Sequence, residues 1–142
     1  MQPAIEPASL VRCEDRAPGV RWLILDQPQR RNALSGAMIA ALQAALDAAA
    51  EDQAARVLVI AAAGPVFSAG HDLRELRALA GEQSADAPAE RCLPVFVDCS
   101  RMMTTIVRLP KPVIACVQGL ATAAGCQLVA SCDLVVAAAS AA

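Results

Sequence analysis

Two stretches of this chain set glycine where a strand hands over to a helix, an arrangement that can hold an anion. The first is PVFSAGHDLREL, Pro65 to Leu76, which follows the apolar run Val57 to Ala62. It reads as strand, glycine-containing loop and helix start, with Asp72 placed to cap a helix over Leu73 to Ala80. The second is PKPVIACVQGLATAAGCQLVASCD, Pro110 to Asp133. Val113 to Val117 is an apolar, β-branched strand, Gly119 breaks it, and a helix starting near Ala123–Ala124 runs through Gly125 to Ser131. A helix start leaves backbone N–H groups unpaired and carries partial positive charge. That suits an anion, including an oxyanion that exists only during a reaction. Two such loops aimed at one point would offer a single oxygen two backbone donors. On pattern alone, ordinary βα units also account for both stretches, because most βα turns do no chemistry.

The ordered pair of stretches resembles the crotonase superfamily, the enoyl-CoA hydratases and isomerases. FSAGHDLREL is similar to the first oxyanion-loop motif of that family, and GLATAAGCQLVASCD to the second. Each is moderately specific alone; the pair, separated by a helical segment and KPVIA, is far more so. The resemblance runs from about Val20 to Ala142 and implies an α/β fold, the opening turns of a ββα spiral. It covers about the first half of a family catalytic domain. Residues 1–142 therefore read as one incomplete crotonase-like domain, ending after the second oxyanion-loop helix and the following strand, with residues 1–8 a flexible N-terminus.

The resemblance also implies a chemistry. Family members act on acyl-CoA thioesters in fatty-acid metabolism and stabilise an enolate-like oxyanion with one backbone N–H from each loop. Matched residue by residue, the donors are His71 N–H and Ala124 N–H. Losing one such donor costs about 10²–10³ in rate in well-studied enzymes. A backbone donor does not depend on its side chain, so the His71 imidazole reads either as a base or, as a lone histidine usually is, as a structural group. Coenzyme A would enter as part of the substrate, with no further cofactor. Its contacts would come from the segment Arg30-Arg31-Asn32-Ala33-Leu34, from the loop of Ala69, Gly70, Asp72 and Leu73, and from Gly125. Arg30 or Arg31 would meet a phosphate, or else form a solvated basic loop. Asn32 reads as an organiser of its turn.

Gln127 stands where hydratases of the family carry a glutamate that activates water. Glutamine has no usable pKa and cannot act as a general base. It either orients a water or carbonyl by hydrogen bonds or is satisfied by nearby backbone. The second hydratase glutamate would fall after Ala142, so hydratase activity is not expected of residues 1–142. Ala123 and Ala124 stand where many members have two glycines. Their methyl groups would narrow the approach of the thioester, or serve helix stability, alanine being the better helix former by about 1 kcal/mol.

Composition narrows the alternatives. Apolar residues are 56 % and charged residues 18 %, so the chain can fold round a core. With a net charge of −2 it has no basic footprint for nucleic acid. The six cysteines, at 13, 92, 99, 116, 126 and 132, show no metal-binding spacing, and no metal site is expected. Several lie in apolar runs, which fits a reducing compartment. MQPAIEPASLVRCEDR has neither the apolar core of a signal peptide nor the acid-free character of a transit peptide, which points to the cytoplasm. The uncharged run from Pro112 to Cys132 is about long enough to span a bilayer, but Gln118, Gly119, Gly125, Gln127 and Ser131 interrupt it, and no membrane association is expected. The family implies a homo-oligomer, a trimer or hexamer.

Around the two loops, the pattern gives strands over Ser9 to Glu14 and Val20 to Asp26, joined at Ala17-Pro-Gly19. Gln27 to Arg31 is a loop, and Ser35 caps a helix over Gly36 to Asp52 that turns Met38, Leu42, Ala45, Leu46 and Ala49 inward. Arg56 to Ala62 is a strand buried on both faces, in parallel crossover order. Gly81 to Ala89 is a polar, mobile break. Glu90 to Arg108 is a helix with Phe96, Cys99, Met103, Ile106 and Val107 inward and Pro94 in its first turn or at a break. Leu134 to Ala137 is the last strand.

Overall fold

The structure is a computed structural model and describes residues 9–81 and 88–142. The expected flexible segment 1–8, and residues 82–87 of the expected mobile break, lie outside the described residues. Strands β1 (Val11–Ala17) and β2 (Val20–Leu25) form the hairpin, with Gly19 at φ +79° in the turn. The first strand begins two residues later than the sequence suggests and continues to the turn. Pairing across the hairpin explains this: Arg21 ion-pairs with Asp15 at 2.8 Å, and the Arg16 guanidinium lies 4.3 Å from the Trp22 ring centre.

A 3-10 turn at Pro28–Arg30 leads to helix α1 (Gly36–Glu51), whose N-cap Ser35 accepts from Met38 N–H at 3.2 Å. Met38, Ile39, Leu42, Leu46 and Ala49 are buried at the spacing of one helical face. The Lys111 ammonium closes the other end, donating to the carbonyls of Ala49 at 2.6 Å and Asp52 at 2.8 Å, where the helix dipole favours a cation.

Strand β3 (Val57–Ala62) is followed by the short β4 (Val66–Ser68), then helix α2 (Leu73–Ala80), capped as expected by Asp72. Helix α3 (Pro88–Arg108) runs unbroken through Pro94, which sits neither in its first turn nor at a break. Its buried stripe is Val95, Cys99, Met102, Met103 and Ile106. Phe96 and Val107 are not inward: they are 44 % and 66 % exposed. The stripe is turned by about one residue from the sequence reading, because Val95 rather than Phe96 lies one turn before Cys99.

Strand β5 (Val113–Val117), strand β6 (Leu120–Ala121), helix α4 (Ala124–Ala130) and strand β7 (Leu134–Ala137) complete the described chain. The main sheet has the order β1-β2-β3-β5-β7, antiparallel in the hairpin and parallel beyond it. Leu23, Leu25, Leu58, Ile60, Val113 and Ala115 pack with α1 and α3 in one core. The last strand is exposed along its length: Leu134, Val135 and Val136 are 61 %, 49 % and 62 % accessible. A second sheet of two parallel strands pairs β4 with β6. Each is too short to leave a period in the sequence, yet this pair ties the two glycine loops together.

Candidate functional site

Ser68, at the end of β4, is the joint between the loops. Its buried hydroxyl donates to the Asn32 carbonyl at 2.8 Å and accepts from Gly70 N–H at 3.2 Å. Its own carbonyl accepts from Thr122 N–H at 3.1 Å. Ala69 N–H donates to Arg31 and Leu34 N–H donates to Gly70, at 3.0 Å and 2.7 Å. The first loop is thus stitched to residues 31–34 on one side and to the second loop on the other. Asn32 sustains the far side. It is fully buried at φ +49°, accepts from Gln27 N–H, and donates to the carbonyls of Ala63 and Val66. It organises its turn, as the sequence suggests.

Two glycines permit the approach. Gly70 has φ +82°, a conformation that side chains resist, and a β-carbon there would lie 3.1 Å from Ala124 N and 3.0 Å from the Ala123 methyl. The residue just before His71 is therefore in contact with the start of α4. Gly125 packs its α-carbon onto Ser68. Among the described residues no hydrogen bond takes up His71 N–H or Ala124 N–H. Two unpaired donors at neighbouring points of adjoining loops can receive one oxygen.

Ala123 is not helical. It is the N-cap of α4, at φ +50° and ψ −125°, where a methyl group is disfavoured. Helix propensity therefore explains Ala124, the first helical residue, and does not explain Ala123. Gln127 is exposed and its side-chain amide has no hydrogen bond among the described residues, so nearby backbone does not satisfy it.

Beside the first loop lies a cleft of about 420 Å³. It is lined by Arg30, Arg31, Ala69, His71, Asp72 and Leu73, with Arg74 a third arginine that the sequence reading did not include. Asp72, 6 % exposed, accepts from Arg74 N–H and Glu75 N–H and pairs with Arg30 at 2.6 Å. The cleft gathers most of the expected substrate-binding residues; Gly70, Ala124 and Gly125 lie outside it, at the loop junction, and Gln127 lies outside it on the exposed side of α4. The His71 ring meets Phe96 edge-on, centroids 4.9 Å apart, and its Nδ1 is buried without a hydrogen-bond partner among the described residues.

All six cysteines are free. Burial, then the charge of Asp133, pushes the Cys132 thiol up to about 12, and burial raises Cys99 and Cys13. These three stay protonated at neutral pH and carry no nucleophile. Among the described residues no group of three or more His, Cys, Asp or Glu is placed to hold a metal, and no helix is long and apolar enough to cross a membrane.

The family described as Enoyl-CoA hydratase/isomerase matches residues 15–142. Rat mitochondrial enoyl-CoA hydratase domain-containing protein 3 is 50 % identical over 119 residues, which is 84 % of this chain and 37 % of that protein. The crystal structure of the human protein of that name superposes with TM-score 0.79 and 44 % identity, covering 90 % of this chain and 47 % of the other. An enoyl-CoA hydratase structure from Mycobacterium smegmatis gives TM-score 0.81 and 51 % identity, covering 93 % and 48 %. The chain spans less than half the length of these relatives.

Proposed function

The chain belongs to the enoyl-CoA hydratase/isomerase family, and from that we propose that it binds acyl-CoA thioesters of fatty-acid metabolism and holds their carbonyl oxygen between His71 N–H and Ala124 N–H. The observation that supports this reading is the contact between the two loops at Ser68 and Gly70, where a β-carbon on Gly70 would lie 3.1 Å from Ala124 N, together with the lack of a hydrogen-bond partner for His71 N–H and Ala124 N–H among the described residues. Charge that develops on the thioester oxygen would be met by fixed dipoles rather than by mobile water. The cleft of Arg30, Arg31 and Arg74 suits the phosphates of coenzyme A, since guanidinium groups pair well with phosphate. Arg30 would share its fork between Asp72 and the ligand.

Hydration is not part of the proposal. Position 127 carries an amide, and Asp72, the one acid lining the cleft among the described residues, is committed to two N–H groups and to Arg30. A reducing compartment fits six free thiols, whether cytoplasm or the mitochondrion named for the relatives. The test is isothermal titration of the folded chain with acetyl-CoA and a longer acyl-CoA. Saturable binding that is lost in Gly70→Ala, whose new methyl would crowd Ala124 N, supports the reading; no binding at millimolar ligand overturns it.

A second reading rests on β7. An uncharged, exposed edge strand suits a chain that acts by pairing with another polypeptide and carries out no catalysis. Association that depends on β7, without any acyl-CoA binding, would favour it.

A further inference from the structure

Helix α3 passes over the candidate site in a direction set by three contacts. A β-carbon on Gly81 would lie 3.2 Å from Arg91 Nη1; Cys92 Sγ donates to the Leu76 carbonyl at 3.5 Å; Phe96 meets the His71 ring at 4.9 Å. As numbering falls along α2 toward His71, it rises along α3, so the helices are antiparallel. Farther along, Met103 Sδ accepts from Ser131 Oγ at the end of α4, at 3.5 Å. One face of α3 therefore spans from the first loop to the helix of the second.

Phe96 is the aromatic on that face, and the core does not use it. The buried stripe of α3 is complete without it, and the residue remains 44 % exposed with its ring against the His71 imidazole. It touches the imidazole but does not line the arginine cleft. An acyl-CoA is charged at its phosphates and apolar at its acyl end. With the phosphates among the guanidinium groups and the carbonyl at the loop junction, the acyl chain needs apolar surface beyond His71. Resting on the acyl-CoA reading above, we propose that Phe96 is a specificity-determining residue whose ring forms the wall the acyl chain meets on leaving the carbonyl. The edge-on contact with His71 fixes the ring, so the wall is preformed and costs little ordering on binding. Longer chains cover more of the ring, and selectivity for length follows from the area removed from water.

The experiment titrates the wild-type chain, Phe96→Ala and Phe96→Leu with free coenzyme A, acetyl-CoA and decanoyl-CoA, each protein shown folded by circular dichroism. Removing the ring should weaken decanoyl-CoA roughly tenfold and leave acetyl-CoA and coenzyme A within about twofold, with Phe96→Leu intermediate. Should Phe96→Ala not fold, the Phe96→Leu series decides by the same ranking. An equal change for all three ligands, or none, overturns the role of Phe96 while leaving acyl-CoA binding intact. If the wild type binds none of them, the underlying reading fails instead, and this inference with it.

Discussion

A β-carbon added to Gly125 would stand 2.5 Å from the Ser68 carbonyl oxygen and 2.8 Å from the Ser68 β-carbon. The first turn of one loop's helix thus rests on the backbone that ends the other loop's strand. Gly125→Ala must part them. The cost is at least the ~1–3 kcal/mol of a forced overpacking, because the obstacle is backbone. Urea unfolding should show a lowered midpoint. If the proposed acyl-CoA site holds, affinity should fall further than stability alone accounts for, since the start of α4 is pushed away from the first loop.

Ala123 should respond in the opposite sense. At φ +50° its methyl is strained, and such residues cost on the order of 1–3 kcal/mol. Ala123→Gly relieves this and gives back part of the gain through the entropy of the unfolded glycine. A net stabilisation of up to about 1 kcal/mol is expected. A melting temperature that drops would show that the methyl makes a favourable contact outweighing the strain.

Crotonyl-CoA hydration by residues 1–142 should lie near background. On the proposed reading the two N–H donors would lower the enolate barrier but move no proton, and acid–base groups usually contribute about 10²–10⁴ each. Gln127→Glu supplies one carboxylate and should not restore full activity. Loss of the enoyl thioester absorbance is the readout. Turnover abolished by His71→Ala would make that imidazole the base; turnover that survives it would refute the assignment of roles.

Cys132 sets an alkaline limit. Burial raises its thiol from 9.0 to about 12 in the folded chain. The unfolded chain ionises first, so the contribution is whole below pH 9 and declines as pH rises toward 12. Unfolding free energy should fall with pH across that window, and Cys132→Ala should flatten the slope. An unchanged slope would assign the loss to other groups.

The exposed Leu134, Val135 and Val136 of β7 predict self-association. We expect this strand to contribute to an apolar patch beyond the roughly 300–600 Å² that monomers usually tolerate. Light scattering should show mass rising with concentration, and Val135→Lys should reduce it. A clean monomer at high concentration that binds no apolar dye contradicts this.

Much of the frame is legible in residue patterns. The stripe from Met38 to Ala49, the Asp72 cap and the apolar runs of β3 and β5 each carry a local signal that the fold obeys. The relatives confirm the family that GHDL and ATAAGCQL suggest. What the pattern hides is long-range. Ser68 and Asn32 join the loops through hydrogen bonds to residues 31 or more positions away, and β4 with β6 offers three residues and two. A hydroxyl closing an apolar strand two residues before a glycine was the one clue to Ser68. Phe96 misleads for a simpler reason: a large aromatic next to an apolar stripe looks like core, and only the packing of Val95 shows that it is not. Ala123 misleads because its neighbour is helical and it is not.

The two edges of the main sheet differ in character. At β1, Arg12 pairs with Asp26 and Glu14, Arg16 with Glu14, and Arg21 with Asp15 and Asp52. At β7 there is no charge in Leu134-Val135-Val136-Ala137. Charges discourage strand addition, so the sheet has a sealed end and an open one. Its growth is vectorial. From β3 onward each new strand of the sheet, β5 and then β7, lies outside the one before it and never inserts between two already paired. A polypeptide emerging from a ribosome can therefore lay down this sheet in the order of its synthesis, each strand finding a finished edge and nothing to unzip.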